Sequence, residues 1–305
     1  MVLCAAYMLV MMPIAEGFAS TGNMVNILTA MLPLLIVATG QTLVLITAGI
    51  DLSVTSTIAL ASTIAAMVIN QETGWMAGNI LATPFGILIM LSIGALIGAL
   101  NGCLIAYVKM PAFMVTLTSM MFFSGLAIWV TQSKSIYGMP EGILIFGKQP
   151  WLSGVVAVMV ILATHLLLSR TLMGRWIYAV GHNQKAALVS GIPVSRVMLY
   201  VYILCGLCAG LAAILITGRL ETGSPVHWRN HLLDIIGATV IGGTSLYGGR
   251  GKVIWTVFGV LFLTLIDNSL NLMSLSHFTI MMVKGGVILG AAGLDALRIR
   301  RLGVS

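Results

Sequence analysis

Residues 196–217, RVMLYVYILCGLCAGLAAILIT, hold one charge, Arg196, at their first position and only apolar, aromatic or small side chains after it. A helix needs about 20 such residues, rising 1.5 Å each, to cross the hydrocarbon of a bilayer. Outward from this run the same texture repeats in both directions. Apolar runs separated by polar, Gly or Pro breaks fall at 1–18, 24–47, 52–70, 83–108, 112–132, 151–169, 196–217, 232–246, 253–273 and 278–297. The pattern predicts an all-α polytopic membrane protein of about ten transmembrane helices, forming a single transmembrane domain over residues 1–305. Gly242 and Gly243 interrupt the eighth run, and Gly285 and Gly286 the tenth. Broken or re-entrant helices are expected at both.

Composition agrees. The 305 residues are 59% hydrophobic and 8% charged, with a mean hydropathy of +1.07, whereas soluble domains carry about 25% charged residues. So few charges cannot cover a compact body in water. The excess of 15 Lys and Arg over 8 Asp and Glu is not a nucleic-acid surface, because the cations are scattered through short breaks instead of being clustered on one face. They read as topology signals. Cys4, Cys103, Cys205 and Cys208 all lie inside apolar stretches, which excludes a disulfide framework or a zinc site. The C-x-x-C of Cys205 and Cys208 reads as small residues on a packed helix. The first run lacks a basic leader, and only Glu16 to Asn23 separates it from the next; a transmembrane span is preferred to a cleaved signal peptide. A polar N-terminal tail missing ahead of it is the other expectation there.

With both termini cytoplasmic, Lys109, Arg170, Arg175, Lys185, Arg196, Arg250, Lys252, Arg298, Arg300 and Arg301 fall on the inner side, against Lys134, Lys148, Arg219 and Arg229 outside. The one sizeable inner loop, about 170–195, contains a helix-compatible stretch from Asn183 to Val189 whose Ala186, Ala187 and Leu188 suit a partner's groove as well as an ordinary connection.

The charged groups within the runs, Asp51, Asp234, Asp267, Lys284 and His165, are each candidates for function. Asp51 stands at a break, where its carboxylate is expected to cap the third span by accepting from the Val54 backbone N–H; an inner gate or a subunit contact is the alternative. Asp267 and Lys284 occupy comparable positions in the last two spans and are expected to pair. No second carboxylate is evident beside them, so a proton relay is not expected. His165 reads as an interfacial or satisfied histidine. Small residues at four-residue spacing, Gly94/Gly98/Gly102, Gly206/Gly210 and Gly286/Gly290, predict closely approaching helices.

Motifs for chemistry are lacking. The stretch GGTSLYGGRGK, 242–252, does not fit a phosphate loop: Leu246 stands where the first Gly belongs and Val253 follows Lys252. No H-E-x-x-H, no G-x-S-x-G with partners and no acidic metal-binding pair appears.

Several blocks resemble those of sugar-type ABC importer permeases, which serve ribose, galactose, arabinose and xylose binding proteins. They are GQTLVLITAGIDLSVTSTIALAS (40–62), LIGALNGCLIAYVKMPAFMVTLTSMMFFSGLA (96–127), GRWIYAVGHNQKAALVSGI (174–192), LDIIGATVIGGTSLYGGRGKVIWTVFG (233–259) and NSLNLM with VKGGVIL (268–273, 283–289), in the family's order over nearly the whole chain. The resemblance implies a type II-like permease bundle in the bacterial plasma (inner) membrane that performs no reaction and binds no cofactor. ATP would be bound by a cytoplasmic ABC ATPase subunit. The other implied partners are a periplasmic or lipid-anchored sugar-binding protein, a second permease copy (identical or related) and membrane lipid.

Carried over residue by residue, Gly174, Arg175, Asn183, Ala186, Ala187, Ser190 and Gly191 become the ATPase-coupling region. Gly242, Gly243, Thr244, Ser245, Gly248, Gly249 and Gly251 become a glycine-rich inner turn whose close backbone approach admits no Cβ. Thr55, Trp255, Ser269 and Leu233 depart from the family pattern at positions that bear on the width and selectivity of the pathway. Alternating access is the implied mechanism, with Asp51, Asn101, Thr116, Thr118, Ser119, Asn268 and Asn271 as expected pathway groups, or else interhelical hydrogen bonds. The rivals are an ion-coupled secondary carrier, which needs a titratable cluster at the midplane, and a membrane enzyme, which needs a constellation not found.

Overall fold

The computed structural model describes residues 1–226 and 228–301. Among these residues the ordered elements are helical: α1 Val2–Met11, α2 Thr21–Ile46, α3 Val54–Ile69, α4 Ala82–Ala106, α5 Ala112–Thr131, α6 Glu141–Lys148, α7 Pro150–Arg170, α8 Leu172–His182, α9 Gln184–Val189, α10 Val194–Leu220, α11 Leu232–Ile241, α12 Val253–Leu272 and α13 His277–Arg301. Six of them, α2, α4, α5, α7, α10 and α12, are long and apolar enough to cross a membrane. The ten-residue α1 and α11 rise only about 15 Å and cannot cross alone; α3 and residues 277–293 are shorter apolar helices.

The buried centre is the antiparallel pair α2 and α10. Gly40 of α2 sits against Cys205 and Cys208, so the C-x-x-C of α10 does serve as small packing residues, and both thiols are buried and free. The most extensive helix contact is α4 on α10. Gly94 meets the backbone of Gly206, Gly98 that of Tyr202, Gly102 that of Leu199, and Gly210 that of Met90. Two of the three small-residue sets thus face each other, replacing side-chain packing with backbone proximity. The third is different: a Cβ at Gly286 or Gly290 would meet no atom of this chain within 4 Å. Gly206→Val should lower stability by at least about 1–3 kcal/mol through overpacking, read as a fall in the thermal midpoint of purified protein. Gly290→Val, facing open space within the chain, should leave that midpoint unchanged.

Hydroxyls within the bundle are satisfied locally. Thr39, Thr63, Thr131 and Thr264 bond the carbonyl one turn back, and Thr42–Thr256 (2.8 Å) and Ser62–Thr217 (2.7 Å) join helices.

The eighth apolar run is broken, as its glycines suggested, but the tenth is not: α13 continues through Gly285 and Gly286 without interruption. Gly223 bridges to Ile136 near the end of α10, and Gly249 N–H donates to the Ile46 carbonyl at the end of α2 (2.8 Å). Because α2 and α10 are antiparallel, the chain between these points traverses the bundle with only a 3-10 turn at Arg229–His231 and the short α11.

Candidate functional site

Three polar constellations stand out. The first lies where α8, the glycine-rich turn and the end of α2 meet. Thr171 caps α8 by accepting from Gly174 N–H (3.1 Å), and Gly174, Ile177, Val180 and Gly181 form its buried face. Gly181 lies directly against the Ile46 carbonyl and Gly249, and the Tyr178 hydroxyl donates to the Gly251 carbonyl (2.7 Å). Asn183 then caps α9, its Oδ1 accepting from Ala186 N–H (3.0 Å). Ala187 turns inward, while Lys185, Ala186, Leu188, Val189, Ser190 and Gly191 are exposed along with Arg175. Gly191 has φ +81° and lets Ile192 N–H return to the Ala187 carbonyl (3.0 Å). Both ends of the 170–195 segment are therefore tied to the bundle, and α9 presents an apolar surface outward.

Within the turn, Gly242, Gly248, Gly249 and Gly251 have neighbours too close for a Cβ. Gly243 does not; it has open space and φ +81°, so there glycine answers a backbone conformation and not crowding. Ser245 N–H bonds the Arg250 carbonyl (3.0 Å) and Ser245 Oγ accepts from Tyr247 N–H (3.2 Å). Thr244 Oγ1 is buried without a hydrogen-bond partner among the described residues. Tyr178 and Gly181 anchor this junction, although the sequence reading, which noted Gly181 among the glycines of the 170–195 loop, assigned neither to the coupling region; Gly181 lies on the buried face of α8.

The second constellation begins at Asp51, which is buried. Its Oδ1 accepts from Ser53 N–H (2.9 Å) and Ser53 Oγ (2.6 Å). The expected cap onto Val54 N–H is corrected to this Ser53 turn, in which Ser53, two residues on, intercepts the carboxylate. Asn101 Nδ2 donates to Ser53 Oγ (2.8 Å) and Ser119 Oγ donates to Asn101 Oδ1 (2.6 Å), a chain linking α3, α4 and α5. Thr116 (3.3 Å) and Tyr202 (3.2 Å) both donate to the Ile50 carbonyl. The Gln41 amide, in the orientation that satisfies both groups, pairs with the backbone of Asp51 at 3.2 Å. Asp51, Asn101, Thr116 and Ser119 are thus brought together. Thr118 is exposed and bonds only its own helix; Asn268 pairs twice with Asn23 at 2.9 Å; Asn271 is exposed beside Asp267. Asn101→Ala should lower stability by about 1–3 kcal/mol, since it strips a partner from two buried hydroxyls; Asn101→Asp, which keeps only acceptors, should not restore the thermal midpoint.

The third is a charge cluster. Lys284 Nζ pairs with Asp267 Oδ1 (3.1 Å), as expected, and more closely with Asp234 Oδ2 (2.7 Å), which also meets His231 Nδ1 (3.0 Å). The expectation of no second carboxylate near the pair is overturned: Asp234 lies fifty positions away in sequence but on α11, which packs between α12 and α13. His165 stands apart on α7; its carbonyl accepts from Ser169 Oγ (2.7 Å).

The family described as "Branched-chain amino acid transport system / permease component" matches residues 23–292. The chain is 36% identical over 294 residues to the ribose import permease protein RbsC of Escherichia coli (strain K12), covering 92% of this chain and 88% of that one. The chain belongs to the sugar-type ABC importer permease family. The permease is also 37% identical over 285 residues to RbsC of Bacillus subtilis (strain 168), with 92% and 86% covered, and 32% identical over 290 residues to the D-allose transport system permease protein AlsC of E. coli, again with 92% and 86% covered. No solved structure matches it. Membership accounts for the multi-pass helical body and places the permease in the plasma membrane.

Proposed function

We propose that this permease is the membrane subunit of an ATP-driven importer of a monosaccharide or sugar-like solute, working by alternating access. The relatives named above import ribose and D-allose, and the sugar assignment for this chain rests on them. The observation that carries the mechanism is the α8–α9 junction. A force on the exposed face of α9 would reach α8 across Asn183 and pass through the Gly181, Tyr178, Gly249 and Ile46 contacts into α2 and the glycine turn. Two such permeases, rocked by an ATPase dimer beneath α9, would switch a central pathway between its two openings. ATP belongs to that partner, and the chain contributes no nucleotide site of its own.

Orientation follows from charge. Lys109, Arg175, Lys185, Arg196, Arg250 and Lys252 cluster near the glycine turn, α8 and α9, whereas Lys134, Lys148 and Arg219 belong to the opposite half and Arg229 lies between, on the segment that crosses the bundle. Positive-inside bias makes the glycine-turn side cytoplasmic. α1 begins there, Cys4 Sγ reaching the Phe258 carbonyl near the start of α12 (3.3 Å), and α13 runs toward the same side. These placements support both termini on the cytoplasmic side, with the external sugar-binding protein docking on the other face.

A second reading, ion-coupled carriage, draws on the His231–Asp234–Lys284–Asp267 cluster, a series of titratable groups in the membrane. The two readings separate on assembly. Leu188→Asp with Val189→Asp, on the exposed α9 face, should abolish copurification with the cognate ATPase and its stimulation by sugar-loaded binding protein. Unchanged assembly and stimulation would sink the coupling assignment.

A further inference from the structure

A cavity of about 430 Å³ opens between α3, α5 and the segment that precedes α11, with Thr55, Ser56, Ser124, Gly125, Arg229 and Asn230 in its lining. Its size lies within the roughly 300–1,000 Å³ of small-molecule sites. Four of its polar side chains are unspent. Ser56 bonds the Ser53 carbonyl (2.7 Å), but among the described residues the buried Thr55, the half-buried Ser124 and the exposed Asn230 and Arg229 make no side-chain hydrogen bond or ion pair. Thr55, buried and without a partner, calls for a ligand or water that supplies one, and the half-buried Ser124 and the exposed Asn230 and Arg229 stay open to the same occupant. The lining offers hydroxyls, an amide and a guanidinium, with Ala59, Met120, Met121 and Ile128 as apolar surface and no carboxylate. That set suits a polyhydroxylated, uncharged or acidic solute and disfavours a cation.

Behind the lining, the Asp51–Ser53–Asn101–Ser119 chain fixes α3 against α5, the two helices that form the walls. The unpaired groups line the cavity, while Asp51 Oδ1, Ser53, Asn101 and Ser119 behind them are joined in one chain of hydrogen bonds. We infer that the solute rests in this cavity during translocation, hydrogen-bonded by Thr55, Ser124, Asn230 and Arg229, with Asp51, Asn101 and Ser119 acting only to position the walls. This deepens the importer reading and rests on it.

Gly125 provides the test, because a Cβ there would meet no atom of this chain within 4 Å. Gly125→Phe should fill the cavity without disturbing the packing of the chain. The full importer, with its ATPase and binding protein, is placed in proteoliposomes holding ATP, and uptake of D-ribose, D-xylose and D-allose is followed. Gly125→Phe should abolish uptake of whichever sugar the unsubstituted importer carries, and Thr55→Val combined with Ser124→Ala should slow it by at least about tenfold. Undiminished uptake in both variants overturns the inference and leaves the importer reading intact. No ATP-driven uptake of any of the three sugars by the unsubstituted importer overturns both. As a check independent of transport, Ser124→Cys in a Cys103→Ser background should react with a small hydrophilic thiol reagent in the assembled importer and be protected by saturating transported sugar. An unreactive cysteine there would mean that a second copy or lipid fills the cavity, and would equally overturn the inference.

Discussion

Lys284→Met is expected to lower the stability of the permease by about 3–5 kcal/mol, because it leaves the Asp234 carboxylate buried with a shared and at most partial partner in His231. The side chain of Lys284 is 13% exposed and that of Asp234 8%, against 44% for Asp267, so the orphaned charge after the substitution is Asp234 and not Asp267. Desolvation of that carboxylate, once offset by an ammonium at 2.7 Å, then stands uncompensated. Adding Asp234→Asn to the same chain removes the charge, and the double variant should recover much of the loss. Thermal midpoints of the purified single and double variants read this directly. A Lys284→Met protein as stable as the double variant would show that Asp234 does not depend on Lys284.

Gly181→Val is expected to abolish transport while leaving the membrane body assembled. The added side chain would drive into the Ile46 carbonyl and the Gly249 N–H, and so break the 2.8 Å hydrogen bond between them that closes the junction. Overpacking of this kind costs about 1–3 kcal/mol locally, enough to separate α8 from the glycine turn but less than a bundle held along α2, α4 and α10 needs to unfold. ATP hydrolysis by the bound ATPase should then persist without sugar uptake. Tyr178→Phe removes only the bond to the Gly251 carbonyl and should show a milder form of the same uncoupling. Parallel loss of hydrolysis and uptake in Gly181→Val would mean that the junction supports ATPase binding instead of transmitting its motion.

The helices were legible because lipid imposes a length and a composition on anything that crosses it: the long runs at 24–47, 83–108, 112–132, 151–169, 196–217 and 253–273 all return as helices with ends displaced by a few residues. The eighth run shows how far punctuation reaches. Gly242 and Gly243 announced a break, and α11 ends at Ile241 after ten residues, but the 3-10 turn that precedes it left no signal, since hydropathy records the medium and not the backbone path. Facing partners were the least legible part. Gly94 and Gly206 announce a close approach without saying that they approach each other. Asp234 meets Lys284 only because α11 packs on both α12 and α13, and that packing leaves no mark on the linear pattern. Asp51 was recognisable as a special position because it stands at a break between two apolar runs, but its actual partner, Ser53, depends on a turn conformation that composition does not specify.

The central claim, ATP-driven import through this permease, is tested most directly by uptake into proteoliposomes. Those liposomes hold the permease, its ATPase and its binding protein, with internal ATP and no ion gradient, against liposomes with an imposed proton or sodium gradient and no nucleotide. Sugar accumulation that requires all three proteins and hydrolysable ATP is the predicted result. Accumulation driven by the gradient alone would contradict it and would transfer the energetics to His231, Asp234, Lys284 and Asp267.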